Sequence, residues 1–169
     1  MLTFFFLILV GDFRSASWGM TMDEVKKSEN SNFEQSENWL FLIDTRFPVE
    51  GINKAEVRYK FIENQFVLGV YELRNDKSKL ERVVQILKEK YGKDPRVESF
   101  DYGRKKEIIR DLDYTKITAL FIGCPKDDDY ICTLNVFYRS KEHECLFNKE
   151  IRRSEIKRKE EFEKKYKNL

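Results

Sequence analysis

No stretch constrains this chain more than Ala55–Arg74, AEVRYKFIENQFVLGVYELR. Ala55, Val57, Tyr59 and Phe61 alternate with Glu56, Arg58 and Lys60. That period of two belongs to a half-buried antiparallel strand with its apolar side inward. Glu63-Asn64-Gln65 is a short polar turn, and Phe66–Arg74 returns as the partner strand. A lone hairpin is marginal in water, so this one must belong to a larger sheet with something packed on it. Further strands are expected around it. Trp39–Phe47 places Trp39, Phe41, Ile43 and Phe47 on one side and Leu40 and Leu42 on the other, so its beginning is covered on both faces; Pro48 and Gly51 end it. Lys116–Gly123 and Tyr130–Ser140 read as a second hairpin, rich in β-branched and aromatic residues. Between the two hairpins, Arg96–Asp113 offers a weak edge strand in which Val97, Ser99 and Asp101 alternate with Glu98, Phe100 and Tyr102, turned by Gly103-Arg104-Lys105-Lys106.

Three helices accompany the strands. Thr21 and Glu24 have the spacing of a capping box, and Met20 and Val25 stand at the two positions of a hydrophobic staple. Asp23 and Glu24 in the first turn, followed by Lys26 and Lys27, suit the helix dipole. Gly19 permits a positive-φ approach to the cap, and Trp18 is large enough to anchor that approach in a core. The polar run from Ser28 to Asn32 ends this helix after about two turns. A second capping box, Ser78 and Glu81, precedes Leu80, Val83, Val84, Leu87 and Tyr91 at helical spacing, with Lys88 and Lys90 in the last turn and Gly92 and Pro95 as stop signals. From Glu142 onward the chain contains no Gly or Pro and carries Glu–Lys pairs four residues apart, such as Glu155/Lys159 and Glu160/Lys164. Its apolar residues, Phe147, Ile151, Phe162 and Tyr166, form a thin stripe: the first turns dock and the remainder projects as a solvated helix.

These elements predict an α+β fold: one antiparallel sheet of about five or six strands with helices packed on it, in the order α-β-β-β-α-(β)-β-β-α. The expected division is an apolar signal-like segment over 1–11, the α+β domain over 12–142 and the charged helix over 143–169. The two hairpins separated by a helix loosely suggest duplicated halves, although no matched residues connect them.

Phe13, Arg14, Trp18, Gly19, Met20, Thr21, Glu24 and Val25 together spell F-R-x-x-x-W-G-M-T-x-x-E-V. This resembles the opening of uncharacterised bacterial exported domains that carry F-R-x-x-x-W-G-M-[ST]-x-x-[DE]-V. The shorter G-M-T-x-x-x-V part is similar to BamE/SmpA-like lipoproteins and to the related β-lactamase-inhibitor-like folds. The resemblance covers Phe13–Val25 and implies a small helical N-terminus on an antiparallel sheet, outside the cytoplasm, working by protein contact. No cysteine follows the apolar run to accept a lipid, and no Gly-x-Pro follows the helix as in BamE. These eight residues form a structural signature, since the cap, the staple and the large side chains each have a packing explanation.

The remaining signals concern compartment and chemistry. Lys and Arg number 32 against 30 Asp and Glu, a net charge of +2, which does not mark a dedicated nucleic-acid binder. MLTFFFLILVG is too short to span a bilayer, which takes about 20 apolar residues, but it matches the apolar region of a signal peptide without the basic start. Cleavage after Gly11 leaves a mature chain beginning near Asp12; the alternative is a buried first strand. Membrane contact is expected only through this run, if it is retained. Of the three cysteines, Cys124 and Cys132 flank the turn Pro125–Asp129, where either a disulfide or free thiols fit, and Cys145 is left over. The single histidine, His143, precludes a multi-histidine zinc site, and neither a phosphate loop nor a dinucleotide fingerprint occurs. Asp127-Asp128-Asp129 reads as a polar hairpin tip. No catalytic, cofactor-binding or metal residue is assigned, and no cofactor is expected. The expected function is a non-enzymatic, exported periplasmic or envelope domain with a protein partner. The alternative is a cytoplasmic binding or regulatory protein using its charged helix on nucleic acid or a partner; the third is a hydrolase whose carboxylates leave little sequence trace.

Overall fold

A computed structural model describes residues 13–45, 55–75, 77–91, 96–100, 105–122 and 132–166. The apolar run 1–11 with the expected start at Asp12, the breaks at Phe47, Pro48, Gly51, Gly92, Pro95 and Gly103, and Asp101, Tyr102, Cys124 and the 125–129 turn lie outside the described residues. The elements run α1 Met22–Glu29, β1 Glu34–Ser36, β2 Trp39–Thr45, β3 Ala55–Ile62, β4 Gln65–Asn75, α2 Lys77–Tyr91, β5 Arg96–Phe100, β6 Lys105–Asp111, β7 Thr115–Ile122, β8 Cys132–Ser140 and α3 Glu144–Tyr166. The fold is α+β with one antiparallel sheet, as the alternation predicts, and among the described residues its eight strands lie in the order β1-β2-β3-β4-β8-β7-β6-β5.

That order has a simple logic. Each half is a helix followed by a four-stranded meander, and the last strands of the two meanders, β4 and β8, pair antiparallel at the centre from Leu68↔Arg139 to Asn75↔Cys132. The halves are thus related as by a two-fold axis through the β4–β8 seam. Hairpin turns set the register within the meanders: Glu63 and Asn64 both have positive φ (51° and 60°), the geometry whose twist matches paired strands.

One sheet face carries both helices. Against α2, Leu80, Val83 and Val84 pack with Ala55, Leu73, Ile117, Ala119, Leu134 and Val136. Against α1, Val25 packs with Leu40, Val57, Tyr59, Phe61 and Phe66, and half-buried Tyr71 and Tyr138 join the two clusters. Fully burying one such side chain is worth about 1.5–3 kcal/mol, so the alternation on β3 sets which side of the sheet the helices take. On the opposite face α3 docks only its first turns, where Leu146 and Phe147 meet Ile62, Val67, Leu68 and Val70.

The structure corrects several local expectations. Two strands add to the expected order. One is β1, a three-residue polar edge strand (EQS) that is exposed throughout and has no hydrophobic pattern to betray it. The other is β6, which takes Lys105 and Lys106 out of the expected turn and into a strand paired with both β5 and β7. Helix α2 begins at Lys77, so Ser78 lies inside its first turn instead of capping it. On β2 the fully buried residue is Leu40, facing the helices, while Trp39 packs beneath α3 and both Trp39 and Phe41 are half-buried.

Candidate functional site

The segment leading into α1 is built around a gap in the sheet. On the helix-bearing face, Gly69 of β4 sits between Tyr59 of β3 and Tyr138 of β8. The Phe13 ring fills the space above it, and a Cβ on Gly69 would lie 2.4 Å from that ring. Phe13 is held there by a tight turn: its N–H donates to the Ala16 carbonyl and Ala16 N–H donates back, each at 3.1 Å, with Arg14 at φ 58° between them. Tyr71, Tyr138, Tyr59 and Phe66 surround the ring with centroids 5.0–6.1 Å away. The chain then runs beside β4, with Gly19 N–H donating to the Phe66 carbonyl (3.0 Å) and Phe66 N–H to the Met20 carbonyl (2.8 Å). Gly19 reaches this path at φ 82°, where a side chain would be strained. Trp18 lies 4.8 Å from Phe66 and donates its indole N–H to Thr115 Oγ1 of β7 at 3.1 Å, a hydrogen bond that spans the two halves.

Phe13, Trp18, Met20 and Val25 therefore converge on one cluster. Thr21 and Glu24 stand apart on the exposed cap, where Thr21 N–H donates to Glu24 Oε2 at 2.8 Å and Glu24 N–H to Thr21 Oγ1 at 3.4 Å. The hydrogen bonds from Thr21 hold the Glu24 carboxyl below the usual carboxylate range. Arg14 occupies the rim, its Nε donating to Glu29 Oε2 at 2.9 Å, while Ser15 N–H donates to the other oxygen at 3.2 Å. Glu29 was unmarked in sequence, standing in the polar run that ends α1, yet its side chain is only 3% exposed. Burial opposes the charge on Arg14, but the neighbouring Tyr59 and Glu29 oxygens outweigh it and raise the pKa. Burial and nearby Glu29 push the Tyr59 phenol far up, so it stays neutral. Tyr59 Oη and Ser15 Oγ are buried polar atoms without a hydrogen-bond partner among the described residues. The whole arrangement closes the core over the seam between the halves.

The other sheet face has a different chemistry. Glu56, Arg58 and Lys60 of β3 stand beside Val70, Glu72 and Arg74 of β4 and Thr133, Asn135 and Phe137 of β8. Arg58 donates to both Glu56 and Glu72, and Arg74 donates to the second Glu72 oxygen at 2.6 and 2.8 Å. Its hydrogen bonds to Glu72 raise the Arg74 pKa. Nearer α3, Lys60 Nζ donates to Asn38 Oδ1 at 2.7 Å and lies 4.9 Å from the Trp39 ring centroid; burial lowers its pKa although Glu150 and Glu37 pull it up. Lys149 Nζ bonds Glu63 Oε1 at 2.9 Å and holds that carboxyl below the usual range, and Arg139 contacts both Glu144 (3.0 Å) and the Phe147 ring (5.1 Å). Past these contacts the face carries alternating charge and half-buried aromatic surface. Only the outward direction of Glu56, Arg58 and Lys60 was legible in advance.

Cys132 is disulfide-bonded, which decides between the two states left open for it, and Cys145 is free and exposed. His143 Nδ1 lies 2.8 Å from Ser140 Oγ, at the turn where β8 passes into α3. Among the described residues no group of acidic, cysteine or histidine side chains is placed to hold a metal, and no helix is long and apolar enough to cross a membrane. No family model, no curated protein and no solved structure matches the chain.

Proposed function

We propose that the protein is a non-enzymatic domain of the bacterial envelope, exported from the cytoplasm, that acts by binding another protein. The observation that carries this reading is the one-sided packing of the sheet. Both α1 and α2 cover one face, and α3 covers only an end of the other, where Phe137 joins its docking cluster, leaving the Glu56–Arg58–Glu72–Arg74 network and half-buried Phe41 without a covering helix among the described residues. A surface of paired charge beside an aromatic ring suits a protein partner, because the ion pairs already satisfy one another and fix orientation while the ring supplies contact area. The disulfide at Cys132 supports export, since such bonds persist in oxidising compartments. The F-R-x-x-x-W-G-M-T opening supports the same compartment by resemblance.

Two measurements test the two parts separately. A C-terminal reporter active only outside the inner membrane is expected, and activity only in the cytoplasm overturns export. A photo-cross-linking residue at Arg74, whose side chain is 69% exposed on a central strand, is expected to trap one protein in living cells. The same probe at Glu81, exposed on α2, is the control; adducts no different from it overturn the docking face. One observation favours a second reading: the exposed part of α3, Ile151–Lys165, carries seven basic and four acidic residues. An intracellular role on nucleic acid would show binding that falls steeply with salt.

A further inference from the structure

From Ile151 to Lys165 every residue of α3 is exposed, including Ile151 at 42% and Phe162 at 63%. At about 100° per residue, Ile151, Glu155, Arg158 and Phe162 share a stripe about 60° wide, with Glu155, Arg158 and Phe162 lining one shallow surface pocket. Their spacings of four, three and four are the same in either direction, and reversing the order apolar, acidic, basic, apolar exchanges each charge for its opposite. We infer that this stripe is a homotypic interface, along which α3 pairs antiparallel with α3 of a second copy of the chain.

The argument is one of self-complementarity. A two-fold axis between Ile156 and Lys157 sets Ile151 opposite Phe162 of the other copy and Glu155 opposite its Arg158. Each contact then occurs twice, as an isologous interface requires. A parallel arrangement would instead set Glu155 on Glu155 and Arg158 on Arg158, placing like charges opposite each other. Within one chain, Arg158 Nε donates to the Ser154 carbonyl at 3.5 Å, a long contact that leaves the guanidinium exposed. Ile156 projects from the opposite side of the helix, outside the stripe. The pairing lies on α3 alone and does not depend on the sheet face proposed above.

Sedimentation velocity on the full chain tests it. The wild type is expected to dimerise with increasing concentration. Glu155→Arg and Arg158→Glu each set like charges across the interface and should weaken association by about tenfold or more. The double variant, E155R with R158E, should restore it, because its charges again face their opposites, and Ile156→Ser should leave it unchanged. In a Cys145→Ser background, an Ile151→Cys chain should cross-link to a Phe162→Cys chain more readily than either does to itself. A wild type that stays monomeric at every concentration, or single charge variants that associate as well as the wild type, overturns the inference. Preferential like-with-like cross-linking overturns the antiparallel direction.

Discussion

The two ends of the described chain use similar materials to opposite effect. Phe13–Glu29 and α3 are both charged segments that contain a helix, and each carries several large apolar residues: Phe13, Trp18, Met20, Met22 and Val25 in the first, Leu146, Phe147, Ile151, Ile156 and Phe162 in the second. In the first, Phe13 and Ala16 are buried, Val25 is fully buried, and one carboxylate, Glu29, is drawn inside beside Arg14. In the second, Leu146 and Phe147 dock and the fifteen residues from Ile151 to Lys165 remain exposed. The difference does not come from composition. It comes from Gly69, whose missing side chain leaves a hole of the right size beneath the first segment, whereas α3 runs past the end of its docking site.

If that is the reason, removing the plug should produce the largest effect. Phe13→Ala is expected to cost about 3–5 kcal/mol, a large share of the roughly 5–15 kcal/mol that holds a domain together, read as a lower urea midpoint. Gly69→Ala alone drives a Cβ into the ring and should also destabilise. In the Phe13→Ala background the added methyl moves into vacated space, so the two changes should couple strongly. Additive losses would mean that the ring and the glycine are not one device.

An intermediate effect is expected at the buried carboxylate. Glu29→Gln keeps the shape but removes the charge that Arg14 and the Ser15 N–H both address, for about 2 kcal/mol. The same change at Glu163 in α3 should stay within about 0.5 kcal/mol. Equal responses in thermal or urea unfolding would erase the contrast between the two ends.

How much of this was legible follows from sequence separation. The β3 alternation and the Thr21–Glu24 box are local patterns, readable because their partners lie within a few residues. The clasp is not local: Trp18 finds Thr115 at a separation of 97 residues, and Phe13 fills a gap in β4 that no pattern near Phe13 announces. Gly69 inside a strand was itself a signal of close approach by another group, though not of which group. Glu29 looked like part of a polar stop because burial of one acid depends on Arg14 arriving from the other side of a turn. β6 was obscured because its adjacent Ile108 and Ile109 break the alternation of a half-buried strand, and the β4–β8 seam joins halves that share no matched residues.

The smallest effect lies at the exposed edge of the same clasp, where it can be separated by pH. Thr21→Ala removes the cap hydroxyl and should cost about 1 kcal/mol at neutral pH. Glu24 has its pKa lowered by the bonds from Thr21, so the folded state holds its proton less tightly than the unfolded chain. The carboxylate's share of the cap is therefore fully present above the unfolded pKa and is lost as pH falls through the folded one. The gap between native and Thr21→Ala protein should narrow across that acidic window in urea unfolding. Glu63, lowered by its bond from Lys149, loses its hold on α3 in the same direction. A gap that stays constant would assign the cap to the Thr21 hydroxyl and the Glu24 N–H alone, leaving the carboxylate no part in starting α1.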